Sequence, residues 1–171
     1  MSPAATSAWI GLGSNLEDPR RQLDQALRTL AAEPGITLQR VSSYYRTAPW
    51  GVTEQPHFVN AVAQLHTTLS PQALLDVLLR IEQQAGRERR ERWGPRVLDL
   101  DLLLFGETCC DTAQLQLPHP RMHERAFVLV PLAELEPGLE LGRHGTVGGL
   151  LARIGRQGVE VLPEAPLSGE P

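Results

Sequence analysis

Lysine is absent from this chain of 171 residues, and all 16 of its basic residues are arginine. The absence excludes a Schiff-base lysine, a lysine general base and the lysine of a phosphate-binding loop. Phosphate handling would therefore fall to metal ions and to guanidinium groups, which hold phosphate oxygens through two parallel donors. The formal net charge of −4 offers no general attraction for nucleic acid or for a membrane surface. Any anion site must be a local feature.

Cysteine and long apolar runs are also scarce. Cys109 and Cys110 are the only cysteines, and an adjacent pair supplies neither a disulfide framework nor a complete zinc ligand set. The apolar runs are too short to cross a bilayer, and the N-terminus lacks the basic start and apolar stretch of a signal peptide. We therefore expect a cytoplasmic protein with no membrane partner.

The order of predicted elements indicates the fold class. We expect one domain over residues 1–171, with a core over about 7–155 and a disordered tail over 156–171. Hydrophobic periodicity and capping signals predict strands at Ser7–Leu12, Ile36–Thr47, His57–Thr67 and Val97–Phe105, with helices after Asp18-Pro19 and over Ser70–Gly86. This β-α-β-β-α-β order predicts an α+β fold, a ferredoxin-like core with an antiparallel sheet and two helices on one face. Short strands and helices are expected in the C-terminal part, and the opposite sheet face is left partly open for a site.

Two acidic residues alternate with leucines in the last core strand. Leu98, Leu100, Leu102 and Leu104 are expected to pack on the helices, which leaves Asp99 and Asp101 together on the opposite face. Residues two apart on a strand lie about 6.5–7 Å apart, so both carboxylates can converge on hard cations such as Mg²⁺. The alternative is an ordinary solvated polar face.

An arginine cluster precedes this strand. Residues 87–96 hold five arginines and two glutamates, a local net charge of +3. These arginines either form a structural salt-bridge network or face a triphosphate that is bound through metal. Trp93 lies within the cluster, and Phe58 and Asn60 share the strand face that points away from the predicted core. An aromatic ring with an amide two residues away suits a flat heterocyclic ligand.

Several blocks together resemble one family. Arg92-Trp-Gly-Pro-Arg96-Val-Leu-Asp99-Leu-Asp101-Leu-Leu resembles the signature of 6-hydroxymethyl-7,8-dihydropterin pyrophosphokinase. Further blocks follow the same order as in the family: Gly11-Leu-Gly-Ser-Asn-Leu16, Tyr45-Arg-Thr47, Gln55-Pro-His-Phe58-Val-Asn60, Glu82 with Gly86-Arg87, and Pro118-His119 with Arg125-Ala-Phe127. The resemblance covers about residues 8–154. The family often has proline at the position of Ala48, and some of its members have tyrosine at the position of Pro120.

The resemblance implies a reaction and a set of roles. The family transfers the β,γ-pyrophosphate of ATP to the hydroxymethyl oxygen of the pterin in folate biosynthesis, leaving AMP. The resemblance makes Asp99 and Asp101 ligands of two Mg²⁺ ions and makes Arg87 and Arg96 the catalytic arginines of a mobile loop. It assigns ATP binding to Glu82, Arg89, Arg92, His119 and Arg125. It assigns pterin binding to Thr47, Ala48, Trp50, Phe58, Asn60, Trp93 and Phe127. We expect a monomer that acts on small molecules without nucleic acid.

Three other interpretations use the same residues. A single-stranded RNA-binding module would need stacking aromatics and a basic sheet face, and Asp99 and Asp101 would repel its phosphates. A nucleotidyltransferase with acidic pairs on such a sheet would release pyrophosphate rather than AMP. A pterin-binding protein without catalysis would tolerate the loss of both aspartates.

Overall fold

The computed structural model describes residues 5–15, 18–47, 58–86, 98–156 and 158–163. These residues form eight strands and four α-helices. The strands are β1 (Thr6–Ser14), β2 (Ile36–Val41), β3 (Tyr45–Thr47), β4 (Phe58–Thr67), β5 (Asp99–Phe105), β6 (Cys110–Asp111), β7 (Gln116–Leu117) and β8 (Val159–Val161). The helices are α1 (Pro19–Ala32), α2 (Pro71–Gly86), α3 (Ala126–Leu135) and α4 (Val147–Ile154).

One antiparallel sheet organises the fold. Its strand order is β5-β1-β4-β3-β8, and β2 also pairs with β4, while β6 and β7 form a separate two-stranded ribbon. The predicted ferredoxin-like α+β fold is thereby confirmed. The single strand predicted over Ile36–Thr47 is instead two strands. Residues 42–44 separate them, and the hydroxyl of Ser42 accepts the N–H of Val62 at 3.0 Å, a side-chain bond in place of the strand ladder.

Alternation along the strands divides the sheet into two faces, as predicted. One face packs on α1 and α2 through residues such as Leu12, Ala61 and Leu100, which are at most 4% exposed. Leu104 was predicted to join this core, and that prediction was wrong. A β-bulge opposite Trp9 and Ile10 shifts the register, so Leu104 packs on the other face. An extra residue in one strand reverses the alternation beyond it.

Helices α3 and α4 cover part of the second face. Trp9, Val62 and Leu103 pack there against the buried side of both helices. Arg40 fastens the end of α3, since its guanidinium donates to the carbonyl of Leu135 and to Oε1 of Glu136, both at 2.8 Å. The guanidinium carbon also lies 5.5 Å from the Trp9 ring centroid. The rest of this face is left for a cavity.

The C-terminal segment differs from its prediction. Residues 156–171 were expected to be disordered, yet residues 159–161 form β8 and add a strand beside β3. The prediction was therefore wrong for this part of the segment, because strand pairing can order a short sequence whose composition alone suggests disorder. Across the described residues, no helix combines the length and the hydrophobicity needed to cross a membrane.

Candidate active site

A cavity of about 810 Å³ opens on the second face of the sheet, beside α3. Its volume lies in the range of small-molecule sites. Strands β1, β3, β4 and β5 form its floor, while residues 121–128 and strand β8 form its walls. The lining includes Gly11, Gly13, Thr47, Phe58, Asn60, Asp99, Asp101, Arg121, Glu124, Arg125, Phe127, Gly158 and Val159. Seven of the residues that the resemblance assigned to metal, ATP or pterin binding therefore line one cavity: Thr47, Phe58, Asn60, Asp99, Asp101, Arg125 and Phe127.

The strand register explains why these side chains converge. Gly13 pairs with Asn60 on one side and with Asp99 on the other, and Gly11 pairs in the same way with Val62 and Asp101. Directly paired residues in an antiparallel sheet point to the same face. Asn60 of β4 and the two aspartates of β5 therefore flank a central strand that has no side chains at these two positions.

Gly13 is required by a close approach. A Cβ atom added there would lie 2.7 Å from Nδ2 of Asn60, which is shorter than van der Waals contact allows. The strand predicted over Ser7–Leu12 is longer in the structure, where β1 continues through Ser14. Gly13 therefore lies within the strand and forms part of the cavity floor.

A buried hydrogen bond fixes the amide of Asn60. The hydroxyl of Thr47 donates to Oδ1 of Asn60 at 2.8 Å, and both residues are at most 9% exposed. The bond turns Nδ2 toward Gly13 and the cavity floor. An amide held in this orientation can donate to an acceptor on the edge of a ring.

The carboxylates of Asp99 and Asp101 are half-buried on β5 and line the cavity. Glu82 on α2 supports the strand between them, because its Oε2 accepts the backbone N–H of Leu100 at 2.7 Å. β5 lies at the edge of the sheet, where an outward N–H would otherwise lack a strand partner. The resemblance assigns Glu82 to ATP binding, and in the structure its carboxylate binds the backbone of the acidic strand.

His119 lies close enough to Asp101 for the charge of that carboxylate to affect its pKa. Burial lowers the pKa of His119 below its usual value of 6.5, Arg125 and Arg121 lower it further, and the carboxylate of Asp101 opposes them. Nδ1 of His119 accepts the backbone N–H of Arg121 at 3.2 Å, so the neutral ring carries its proton on Nε2. At neutral pH His119 is therefore an uncharged hydrogen-bond donor near the acidic strand.

Two of the three phenylalanines in the chain line the same cavity. Phe58 begins β4, and Phe127 lies in the first turn of α3. The guanidinium carbon of Arg125 lies 5.6 Å from the Phe127 ring centroid, which is a cation–π distance. Aromatic faces, an amide and a cation are thus arranged around one space.

Some of the predicted site residues lie outside the described residues: Ala48, Trp50, Arg87, Arg89, Arg92, Trp93 and Arg96. Sequence reasoning also missed some lining residues. Gly11 and Gly13 could have been found, because two glycines spaced two apart on one strand match the spacing of Asp99 and Asp101 on a neighbouring strand. Arg121 and Glu124 gave no clear signal, and Val159 was hidden by the expectation of a disordered tail.

Comparison with known proteins gives one consistent result. The family profile of 7,8-dihydro-6-hydroxymethylpterin-pyrophosphokinase matches residues 9–137. The 2-amino-4-hydroxy-6-hydroxymethyldihydropteridine pyrophosphokinase of Pseudomonas aeruginosa is 50% identical over 159 residues, covering 92% of this chain and 97% of that protein. The enzyme of the same name from Methylorubrum extorquens is 47% identical over 155 residues, covering 91% and 98%.

Solved structures support the fold. A crystal structure of Plasmodium falciparum HPPK-DHPS superposes with a TM-score of 0.72 at 13% identity and covers 88% of this chain. The match spans 46% of that longer chain, so the likeness bears on the fold of one part of it.

The antiparallel sheet of this α+β fold brings paired carboxylates, aromatic rings and guanidinium groups to one cavity. This arrangement is typical of a transferase that acts on small molecules. The chain belongs to the 7,8-dihydro-6-hydroxymethylpterin-pyrophosphokinase family. It transfers pyrophosphate from ATP to 6-hydroxymethyl-7,8-dihydropterin in folate biosynthesis. The RNA-binding, nucleotidyltransferase and non-catalytic interpretations are thereby set aside.

Proposed function

We propose that the transfer takes place along the cavity, with the pterin over β3 and β4 and the triphosphate near β5. One observation carries this proposal: Asn60 and Asp99 flank Gly13 on the same face of adjacent strands. A ring held by Asn60 and a phosphate chain held near Asp99 would then meet above the glycine floor. Holding two reactants in this way supplies much of the catalysis in phosphoryl-type transfer.

Two Mg²⁺ ions are the proposed cofactors, with Asp99 and Asp101 as their protein ligands. The residues fit this role, since two carboxylates on one strand face line the same cavity. No cluster of three or more His, Cys, Asp or Glu side chains occurs among the described residues, so the remaining ligands would be phosphate and water oxygens. Bound there, Mg²⁺ would neutralise charge on the phosphates and orient their oxygens. Glu82 serves the ATP site by holding the backbone between the two acids.

Arginine would supply the remaining positive charge, as the absence of lysine requires. Arg125 lines the cavity, and His119 lies near the acidic strand as a neutral donor to the nucleotide. Arg89 and Arg92 are proposed to bind ATP phosphates, and Arg87 and Arg96 to stabilise the group in transfer. Guanidinium groups aimed at the transferring phosphates would favour the transition state over the bound substrate.

The pterin would lie between the rings of Phe58 and Phe127. Asn60 would donate from Nδ2 to the polar edge of the pterin, and the backbone at Thr47 and Ala48 would bind the same edge. Trp50 and Trp93 are proposed to close over the ring and exclude water from the reacting phosphate. Exclusion of water matters because hydrolysis of ATP competes with transfer to the hydroxymethyl oxygen.

We also propose that the protein is a cytoplasmic monomer. The net charge of −4 gives no general attraction for nucleic acid or membrane. Sedimentation equilibrium that returns more than the mass of one chain would contradict the monomer.

The metal assignment can be tested by calorimetry with an ATP analogue whose α,β-bridging oxygen is a methylene group. We expect Mg²⁺ to tighten binding by about tenfold or more in the unmodified protein, because two carboxylates and the phosphates share the ions. Asp99→Asn should abolish this enhancement. Glu107→Gln is the matched control, since Glu107 is an exposed carboxylate in the turn that follows β5. Equal enhancement in Asp99→Asn and the control would contradict the assignment.

A further inference from the structure

The C-terminal strand β8 closes one end of the cavity. Val159 and Gly158 line the cavity, although both lie outside residues 9–137, the part matched by the family profile. Val159 also packs on the edge of the cluster formed with α3 and α4. This part of the wall has no role among those that the resemblance implies.

Several contacts hold β8 in place. It pairs with β3, and the N–H of Leu162 donates to the carbonyl of Tyr44 at 2.8 Å. Arg46 forms an ion pair with Glu160 at 2.6 Å, and Arg20 donates to the carbonyl of Pro163. The strand is therefore held against the sheet along its length and just beyond its C-terminal end.

The register places Val159 beside the residues proposed to bind the ring. Thr47 pairs with Val159 on one side and with Phe58 on the other, so the three side chains share one face. The proposed triphosphate site, near β5, lies at the opposite edge of the sheet. Strands are about 4.8 Å apart, and β5 is four strands from β8, so about 19 Å separates the acidic strand from Val159.

We propose that Val159 contacts the edge of the ring that points away from the reacting hydroxymethyl group, and so determines how well the enzyme binds its heterocyclic substrate. The inference rests on the proposed placement of the pterin over β3 and β4. An apolar side chain at this wall limits the size of the ring that fits. Because Val159 lies far from the transferred group, it acts on substrate binding rather than on the chemical step.

The test compares Val159→Trp with Val161→Trp in the full chain. Both valines lie on the same face of β8, but Val161 is 60% exposed and is not among the lining residues of the cavity. We expect Val159→Trp to raise KM for 6-hydroxymethyl-7,8-dihydropterin by about tenfold or more, since a single methylene group of misfit in a pocket can have this effect and an indole ring is much larger. Its KM for ATP and its kcat should stay within about twofold of the unmodified protein, and Val161→Trp should change none of the three values.

The outcomes separate this inference from the proposed function. Failure of the unmodified protein to release AMP with pterin would overturn the function, and the inference with it. Normal turnover with an unchanged pterin KM in a folded Val159→Trp protein would overturn the inference alone, as would an equal rise in both KM values. If melting curves show that Val159→Trp does not fold, Val159→Ala replaces it, with a several-fold rise in pterin KM expected and an unchanged KM contradicting the inference.

Discussion

Asp101→Asn is expected to lower kcat/KM by about a thousandfold or more while the protein stays folded. The substitution keeps the volume of the side chain but removes one of the two carboxylate charges that β5 presents to the cavity. A site that holds metal through two carboxylates loses most of its transition-state stabilisation when one becomes neutral. Because Asp101 is half-buried and lies at the cavity rather than in the core, we expect little change in melting temperature.

A change in the protonation of the neighbouring His119 does not account for this expected loss of activity. Asp101 raises the pKa of His119, against the larger lowering effect of burial. Removing the carboxylate therefore moves the pKa of His119 further down, and the ring stays neutral at pH 7 as it was before. The kinetic loss would then report the carboxylate itself.

Steady-state kinetics with both substrates measures the effect, and pterin fluorescence checks that the ring still binds. Glu107→Gln serves again as the control, with kinetics expected to match those of the unmodified protein. A variant at Asp101 with more than about a tenth of normal kcat/KM would exclude the carboxylate pair from catalysis, since such a loss amounts to no more than about 1.4 kcal/mol.

Gly13→Ala is expected to weaken pterin binding by about tenfold or more. The new methyl group would lie 2.7 Å from Nδ2 of Asn60, so the amide must move. Movement would break or strain the buried bond from Thr47 to Asn60. A site that recognises a ring edge by hydrogen bonds loses affinity when its donor is displaced, because buried polar groups are then left unpaired.

Gly11→Ala is the matched comparison because it adds the same methyl group two residues away. Its Cβ would lie 3.7 Å from Cδ1 of Leu103, an ordinary van der Waals contact. We expect a smaller loss of pterin affinity than for Gly13→Ala, measured by fluorescence titration. Equal affinities in the two variants would mean that the Gly13–Asn60 approach does not control the ring site.

The topology of the core could be predicted from the sequence because it follows from local patterns of apolar and polar residues. The alternation of leucine with Asp99 and Asp101 assigned their faces correctly, and the same pattern in β4 separated Asn60 from Ala61. Periodicity failed at Leu104, because the bulge depends on how β5 meets Trp9 and Ile10 in β1. A register between two strands is not encoded in either strand alone.

The cavity itself could be predicted only in part. Asp99, Asp101, Phe58 and Asn60 have residue types that suggest chemistry, and they do meet in one place. Val159 and Gly13 have no such chemistry, and their importance comes from what lies beside them. Short strands such as β8 are stabilised by a neighbour rather than by their own sequence, so composition alone predicted disorder there.

The most direct test of the account is product analysis with purified protein, ATP, Mg²⁺ and 6-hydroxymethyl-7,8-dihydropterin. We predict AMP and the pterin diphosphate in equal amounts, with formation of AMP dependent on both the pterin and Mg²⁺. Chelation of the metal should stop the reaction, and its return should restore it. Release of ADP or of free pyrophosphate, or AMP that forms equally well without pterin or without metal, would contradict the account.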